Sequence, residues 1–489
     1  MMEESGNGMQ MAELTTKYTP LDGSGGSSSH SQEDEEQQQQ QRRRSYSSLS
    51  DAADAPKDAG TLFVLESKGT WMHAGYHLTT AIAGPSLLSL PYAFSFLGWA
   101  PGLLALTICG LVSSYAYCLL SQVLDDCASK GHRFYRFREL SQFVIGKSWT
   151  NCFVTPVQFG VCFVTVVGAI LAGGFAVKLI YLGVNANGTI PLAAFVAMFG
   201  AVMIVLAQLP SFHSLRYINL VSLLLCLTYS LCATAGSVLA GYNKNVPPKD
   251  YSVVGNPAEK MFGVFTALSV MAGVYGVAII PEIQATMAPP IVGKMVKGIA
   301  LCYAVVAATF YSVSIAGYWA FGNGAQGNIF DNLAPSGGPQ VNPVWLTAIS
   351  SFAIVAQLLA IGLVYLQPTF DVLETLTADV NRGKYALRNV VPRLVLRSIY
   401  VSLATLIGAM LPFFGDIVSL VGAFGYTPLD FVLPMLFYQL VFKPSRTTYI
   451  FWLNWVIIVS FSIVGVIGCI ATMRHIVIDA KTYKLFADV

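Results

Sequence analysis

Charged side chains are too scarce in this sequence to cover a water-soluble globule. Asp, Glu, Lys and Arg make up only 11% of the 489 residues, whereas 54% of the residues are hydrophobic. Soluble domains carry roughly 25% charged residues. The shortage excludes a soluble fold and predicts an all-α polytopic membrane protein in contact with the lipid bilayer.

Histidine and cysteine are too few and too scattered to build a reactive centre. The six histidines stand at positions 30, 73, 77, 132, 213 and 475, and the nine cysteines show no zinc or disulfide spacing. His73 and His77 are four residues apart and share a helix face, as metal ligands can, but no third ligand accompanies them. We therefore predict no metal site, no cofactor, no enzymatic activity and no nucleic-acid partner.

Residues 1–69 lack the long apolar runs of the remaining chain. They hold Gly, Ser and Gln tracts, an acidic cluster at 33–36 and an arginine triplet at 42–44 followed by serines. Such a segment cannot bury enough apolar surface to fold, and it has no apolar stretch typical of a cleaved signal peptide. We expect a disordered cytoplasmic tail, which is either regulated by phosphorylation or a solvated linker.

Eleven apolar segments follow the tail, each of about the length that crosses a bilayer. They cover approximately residues 71–97, 99–123, 150–182, 190–208, 215–240, 260–288, 298–321, 344–367, 391–413, 417–441 and 449–473. They predict a transmembrane transporter domain over 70–473 and an extracytoplasmic C-terminal tail over 474–489.

Positive charges between these spans indicate the orientation of the chain. With the N-terminus inside, the inner loops carry fourteen Lys and Arg residues and the outer loops carry only Lys244 and Lys249. This is the positive-inside pattern. The sequon Asn187-Gly188-Thr189 falls in an outer loop, where a glycan would be attached. We predict a multi-pass plasma-membrane protein with a cytoplasmic N-terminus, an extracellular C-terminus and glycosylation at Asn187.

The first span is interrupted near its centre by Gly84-Pro85, within TTAIAGPSLLSLPY at 79–92. Proline removes a backbone donor and clashes with the preceding helical turn, so the helix is expected to break there. Backbone groups released inside a membrane are tolerated where they face protein or a water-filled cavity. The break therefore predicts half of a binding site.

The sixth span also has glycines near its middle, at 273 and 276, followed by Pro281. Two interrupted spans separated by five helices predict a 5+5 inverted repeat with broken helices 1 and 6 plus one extra helix. Repeat one covers about 70–240, repeat two about 258–441 and the extra helix about 449–473. This pattern is typical of secondary transporters with a site at mid-membrane.

The ends of the broken helices suit a zwitterionic small molecule. Amides at a half-helix N-terminus attract a carboxylate, and carbonyls at a half-helix C-terminus attract an ammonium group. The predicted carboxylate ligands are the amides of Gly84, Ser86 and Leu87. The predicted amine ligands are the carbonyls of Ser269, Met271 and Ala272. The other predicted substrate-binding residues are Thr80, Gly273, Tyr275, Gly276 and Tyr426.

Titratable residues inside spans are candidates for proton coupling. Asp430 lies near mid-depth in the tenth span, and its alternative role is that of a hydrogen-bonded structural carboxyl. Glu282, towards the inner end of the sixth span, is a gate or an interfacial residue. His77 is a proton-relay group or an interfacial histidine.

Four stretches carry a family resemblance. HLTTAIAGPSLLSLPYAFSFLGW at 77–99, QLPSFHSLRYIN at 208–219, IIPEIQATMAPP at 279–290 and MLPFFGDIVSLVGAFGYTPLDFVLPMLFY at 410–438 resemble the plant amino acid/auxin permease family. The Gly-Pro at 84–85 and the Phe-Gly-Asp at 414–416 are most similar to its γ-aminobutyric acid (GABA) transporter branch.

The resemblance implies proton-coupled symport of GABA and related amino acids, driven by the proton gradient. The sixth span departs from the aromatic break of many amino acid permeases, because Ala272, Gly273, Val274 and Gly276 are small. Proline or betaine, neutral amino acids and auxin remain alternative substrates. A transport-incompetent amino acid sensor of the same fold is a further alternative.

Overall fold

A computed structural model describes most of the chain beyond the N-terminal tail. The described residues are 69–185, 188–208, 216–243, 249–253, 255–288, 291–333, 342–379, 381–383, 385–410 and 414–479. All of them belong to one compact unit. The predicted tail, except for Gly69, and the glycosylation site Asn187 lie outside the described residues.

Within the described residues, eleven helices, numbered α1 to α11 in chain order, make up the bundle. They are α1a Trp71–Ile82 and α1b Leu90–Leu97, α2 Trp99–Ser129, α3 Lys147–Val184, α4 Leu192–Leu206, α5 Arg216–Tyr242, α6a Pro257–Tyr275 and α6b Ile280–Ala285, α7 Lys294–Phe321, α8 Val344–Thr377, α9 Leu387–Met410, α10 Phe414–Phe442 and α11 Tyr449–Asp479. Short helices at Phe137–Ile145 and Ile329–Leu333 connect α2 to α3 and α7 to α8.

Ten of these helices are long and apolar enough to cross a membrane. The exception is α4, with 15 residues, where the sequence predicted a span over 190–208. At about 1.5 Å per residue a helix of this length is shorter than the roughly 30 Å hydrocarbon core. The all-helical polytopic fold is confirmed. At the other end of the chain, α11 continues to Asp479, beyond the predicted end at 473.

The interruptions of α1 and α6 confirm the two broken spans of the inverted repeat. α8 packs along α3 at the centre of the bundle. α1 packs against α5 and α7, whereas α6 packs against α10 and α11. Each broken helix is therefore held mainly by continuous helices, which fix the position of its break.

α10 has an unexpected geometry. Residues Val421–Val432 form a π-helix of 12 residues between two α-helical ends. This segment contains Tyr426 and Asp430. π-Helical turns are rare and often occur at functional sites, because the wider turn redirects the side chains that follow.

The beginning of the chain's described part is attached to the end of the sixth span. Gly69 donates its amide to the Thr286 carbonyl over 2.7 Å and accepts the Ala288 amide at its own carbonyl over 2.8 Å. The two segments form a parallel β-bridge between Gly69 and Met287. We call this end of the bundle the Gly69 side.

Buried ion pairs anchor the end of α8. Arg136, just before the connecting helix Phe137–Ile145, forms two hydrogen bonds with the Asp371 carboxylate of α8. One helical turn later in α8, Glu374 binds Arg393 and Arg397 of α9. These arginines and carboxylates are almost fully buried. Because each buried charge has a partner, breaking one pair would leave an uncompensated charge.

Candidate functional site

The break in α1 lies at Ala83 and Gly84, as the sequence predicts. Ile82 ends the helix, Gly84 has extended backbone angles, and Pro85–Ser89 form a 3-10 turn before α1b. Proline begins this turn because it needs no backbone donor there. A Cβ atom at Gly84 would lie 2.7 Å from the Cδ1 atom of Ile361 in α8, so only glycine fits at the break without displacing that side chain.

The break in α6 lies later than expected. Helix α6a continues to Tyr275, and the extended segment begins at Gly276 with φ −78° and ψ 147°. Gly273 remains in the helix, where its missing side chain allows close contact with the Val418 carbonyl of α10. Ala278 has φ 56°, a left-handed conformation that is uncommon for a residue with a side chain.

Neutral side chains from two helices bind the carbonyl released at the α1 break. The Ala83 oxygen accepts a hydrogen bond from the Tyr229 hydroxyl of α5 over 2.9 Å and from the Gln357 amide of α8 over 3.4 Å. Ser222 of α5 orients Gln357 by donating to its Oε1 over 2.6 Å. The broken end of α1a is therefore held without an ion pair.

A carboxylate binds the amides released at the α6 break. Asp430 of α10 accepts the Val277 amide over 2.9 Å and the Ala278 amide over 3.0 Å. Tyr117 of α2 donates its hydroxyl to the Tyr275 carbonyl over 2.8 Å, at the end of α6a. The amides after the break and the carbonyl before it thus each have a hydrogen-bond partner, as buried backbone groups require.

A cavity lies between the two breaks. It contains about 560 Å³ of space between the atoms, including the part open to solvent. Its hydroxyl-bearing residues are Ser86, Thr165, Tyr365 and Tyr426. Its small residues are Ala81, Gly84, Gly168, Ala169, Gly273 and Gly276. Its larger apolar residues are Pro85, Val164, Leu358, Ile361, Ile417, Val418 and Val421.

The lining residues carry no ionic side chain, so this cavity offers only dipoles and hydroxyls to a charged molecule. The Thr165 and Tyr426 hydroxyls are 3.0 Å apart and hydrogen-bonded. The Ser86 side chain is partly exposed at the start of the 3-10 turn. A zwitterion would therefore be bound by the helix ends, whose partial charges are opposite in sign to its carboxylate and ammonium groups.

Five of the predicted substrate-binding residues line this cavity: Gly84, Ser86, Gly273, Gly276 and Tyr426. Thr80, Leu87, Ser269, Met271, Ala272 and Tyr275 do not line it. The structure therefore brings the two breaks together. Fewer residues line the cavity between them than the sequence predicted for substrate binding.

Several predicted ligands are occupied by protein contacts. The Leu87 amide donates to the Gly84 carbonyl over 3.1 Å, and the Gly84 amide donates to the Ile82 carbonyl over 2.8 Å. Of the three predicted carboxylate ligands, only the Ser86 amide makes no hydrogen bond to the described residues. The Thr80 hydroxyl donates to the Asn219 carbonyl over 3.5 Å.

The three predicted carbonyl ligands lie in different parts of α6a. Ser269 and Met271 lie inside the regular part of α6a, where carbonyls accept from amides one turn later. Only the last four carbonyls of a helix lack such partners, which here are those of residues 272–275. The Tyr275 carbonyl accepts the Tyr117 hydroxyl, and the Tyr275 hydroxyl donates to the Leu106 carbonyl. Gly273 is the residue of this last turn that also lines the cavity.

The proton-coupling candidates have different environments. Asp430 is fully buried at the α6 break, as described above. Glu282 of α6b is buried, and its Oε1 accepts the Phe137 amide and the Gln158 side-chain amide, both over 2.9 Å. His77 of α1a is buried with its Nδ1 atom 2.7 Å from the Asn219 side-chain amide. His73 forms a capping box with Thr70, whose backbone amide donates to His73 Nδ1 over 3.1 Å.

Sequence reasoning missed the side chains that other helices contribute. Thr165 of α3 and Tyr365 of α8 line the cavity, and Gln158, Tyr229 and Gln357 bind the breaks. Polar residues within otherwise apolar spans were the available signal, since such residues must find a buried partner. Their partners lie more than a hundred residues away in sequence.

The family follows from comparison with known proteins. The family described as "Transmembrane amino acid transporter protein" matches residues 67–478. The chain belongs to this family. Among its relatives is GABA transporter 1 of Arabidopsis thaliana, which is 52% identical over 88% of this chain and 96% of that protein. Lysine histidine transporter-like 1 of Arabidopsis thaliana is 30% identical over 85% of this chain and 90% of that protein.

A solved structure shows a similar fold. The crystal structure of MhsT in complex with L-phenylalanine aligns with a TM-score of 0.54 at 12% identity, covering 82% of this chain and 99% of that chain. At this identity the likeness concerns the fold alone. The predicted resemblance to amino acid permeases is confirmed by the family match and the GABA transporter relative.

Proposed function

We propose that the protein is a secondary transporter that carries GABA and related amino acids into plant cells together with protons. The observation that carries this proposal is the uncharged cavity between two interrupted helices in a member of an amino acid transporter family. The high identity to an Arabidopsis GABA transporter favours GABA as the substrate. The plasma membrane, with the Gly69 side facing the cytoplasm, is the proposed location.

The substrate carboxylate binds at the start of the second half of α1. Ser86 supplies a backbone amide and a hydroxyl next to the cavity. The partial positive charge of the following helical turns stabilises an anion at this end. The substrate ammonium group lies towards the last turn of α6a, where Gly273 lines the cavity and carbonyls carry partial negative charge.

Alternating access follows from movement around the two breaks. The substrate and a proton enter from outside, α1 and α6 close over them, and the Gly69 side then opens. Asp430, which holds the α6 break, and Glu282 of α6b are the proposed proton-coupling carboxyls, with His77 as a further titratable group. Proton entry down a membrane potential supplies roughly 2.3 kcal/mol per charge per 100 mV.

Uptake of radiolabelled GABA by the purified protein in liposomes tests this proposal. We expect accumulation under an inward proton gradient and none without one. Flux that ignores the proton gradient would contradict proton coupling. If GABA is not carried, competition with proline, betaine, neutral amino acids and auxin would identify another cargo, and binding without flux would indicate a sensor.

Ser86 gives a direct test of the carboxylate site. Ser86→Ala removes a hydroxyl next to the cavity, and we expect GABA affinity to fall by about 1–2 kcal/mol of binding free energy. Ser95→Ala is the matched control, because the Ser95 hydroxyl on α1b donates to the Tyr92 carbonyl and Ser95 does not line the cavity. Equal affinities in the two variants would contradict the assignment.

A further inference from the structure

Gln158 lies between two buried carboxyl groups, Asp430 of α10 and Glu282 of α6b. It lies in α3 and is only 2% exposed. Its side-chain nitrogen donates to the Ala278 carbonyl over 3.0 Å and to Glu282 Oε1 over 2.9 Å. One amide group therefore binds both the broken backbone of α6 and the carboxyl of α6b.

Ala278 is held on both sides by these groups. Its amide donates to both Asp430 oxygens over 3.0 Å, and its carbonyl accepts from Gln158. Its left-handed φ of 56° is a conformation that persists only where surrounding contacts enforce it. A continuous hydrogen-bonded path thus runs from Asp430 through Ala278 and Gln158 to Glu282.

The two carboxyls differ in how they can accept a proton. Both Asp430 oxygens accept backbone amides, so a proton there competes with the contacts that hold the break. Glu282 Oε2 is buried and has no hydrogen-bond partner among the described residues. A proton can be added at this oxygen without displacing an existing hydrogen bond.

The surroundings contain few other charges that could respond to pH. The titratable groups that act electrostatically on the two carboxyls are Tyr117, Cys162, Tyr303, Tyr365, Asp371 and Tyr426. Asp371 is paired with Arg136. The others are phenols and a thiol, which are ordinarily uncharged at neutral pH.

We propose that Gln158 is a positioning residue that makes Asp430 and Glu282 one coupled proton site, with Glu282 Oε2 as the atom that receives the proton. This inference rests on the proposed function and deepens it. A proton from the outer solution binds at the pair, and the same proton leaves to the cytoplasm when the α6 break moves. Gln158 carries no proton itself, because its side-chain amide does not titrate. It links Glu282 to the Ala278 backbone, which Asp430 also binds.

The chain provides a matched control on the other repeat. Gln357 of α8 donates to the Ala83 carbonyl at the α1 break, as Gln158 of α3 donates to the Ala278 carbonyl at the α6 break. Its other contact is the Ser222 hydroxyl rather than a carboxyl. Methionine at either position keeps the side-chain length and removes the donors.

The test compares Gln158→Met with Gln357→Met in liposomes. We expect Gln158→Met to lower proton-driven GABA accumulation about tenfold, while GABA exchange at equal pH falls less than about threefold. Its exchange rate should also show a shifted dependence on pH between about pH 5 and 8, the range in which perturbed carboxyls titrate. Gln357→Met should lower exchange and accumulation by the same factor and leave the pH dependence unchanged.

The inference would be overturned if Gln158→Met lost exchange and accumulation equally, or if its proton-driven accumulation equalled that of the wild type. If that variant does not fold, Gln158→Asn is used, because it remains polar but is too short to bind both partners. A wild-type protein that carries GABA without protons contradicts the proposed coupling instead. If the wild type carries another amino acid of the competition panel, the same comparison is made with that substrate.

Discussion

Gly276, at the break of α6, lies directly against the ring of Tyr426 in α10. A Cβ atom at position 276 would overlap the ring atoms of Tyr426, which is itself buried and hydrogen-bonded to Thr165. Gly276→Ala should therefore displace Tyr426 or the break, at a cost of about 1–3 kcal/mol for overpacking. We expect GABA uptake in liposomes to fall by about 5- to 140-fold, since each 1.4 kcal/mol corresponds to about a factor of ten.

Gly160→Ala is the control for this substitution. Gly160 lies in α3, and no atom lies within 4 Å of the position that its Cβ would take. Alanine is also the better helix former, by about 1 kcal/mol. Uptake by Gly160→Ala should equal that of the wild type, and normal uptake by Gly276→Ala would show that Tyr426 is not fixed by this contact.

Asp430→Asn should separate exchange from accumulation. The substitution keeps the shape of the side chain and one carbonyl acceptor for the Val277 and Ala278 amides, but it removes the titratable group. We expect GABA exchange to persist and proton-driven accumulation to disappear. The measurement is uptake with and without an imposed proton gradient, and full accumulation by the variant would exclude Asp430 as the coupling residue.

Arg136→Ala should destabilise the protein far more than removal of an exposed charge. Arg136 and Asp371 form a buried ion pair, and the substitution removes the guanidinium group from this buried carboxylate, at a cost of about 3–5 kcal/mol in the free energy of unfolding. Lys130→Ala breaks the surface pair with Asp126, in which the lysine side chain is 62% exposed, and should cost about 1 kcal/mol or less.

Thermal unfolding of the two variants in detergent measures this difference. The double variant Arg136→Ala, Asp371→Ala should recover part of the lost stability, because it also removes the buried carboxylate that has lost its arginine. A melting temperature of Arg136→Ala close to that of Lys130→Ala would show that the buried pair contributes little.

Asp331 should make stability depend on pH. It lies on the connecting helix Ile329–Leu333, between α7 and α8, and burial raises its pKa from 3.8 to about 7. The folded state therefore binds this proton more tightly than the unfolded chain. The resulting stabilisation is present below about pH 4 and is lost as the pH rises to about 7.

Asp331→Asn removes this dependence, because asparagine stays uncharged. We expect the melting temperature of the variant, relative to the wild type, to increase between about pH 5 and 8, since the wild type loses stability over that interval. A relative melting temperature that falls with rising pH would contradict the assignment. Thermal unfolding at both pH values gives the result.

The sequence predicted those features that depend on local chemistry. Pro85 lacks a backbone donor wherever it stands, so the α1 break could be placed to within a residue. Glycine is ambiguous, because it can end a helix or allow a close helix contact. Gly273 allows such a contact and Gly276 begins the break, which is why the α6 interruption was expected too early.

Side-chain partners from other helices could not be predicted. Asp430 was identified as a buried titratable residue, but its bonds to Val277 and Ala278 depend on how α10 packs against α6. The π-helix at Val421–Val432 also left no clear periodicity signal in the sequence. Tertiary packing decides both features, and one sequence contains no direct record of contacts between distant segments.

The bridge at Gly69 imposes an order on the opening of that side. It joins the start of α1 to the segment after α6b through backbone hydrogen bonds, which persist whatever side chains stand there. α1a and α6b must therefore move together or first separate by breaking two hydrogen bonds, each worth about 0.5–1.5 kcal/mol. If the two segments move separately, breaking the bridge is a distinct early step. The rate of this step would limit release of the cargo whenever the later steps are faster.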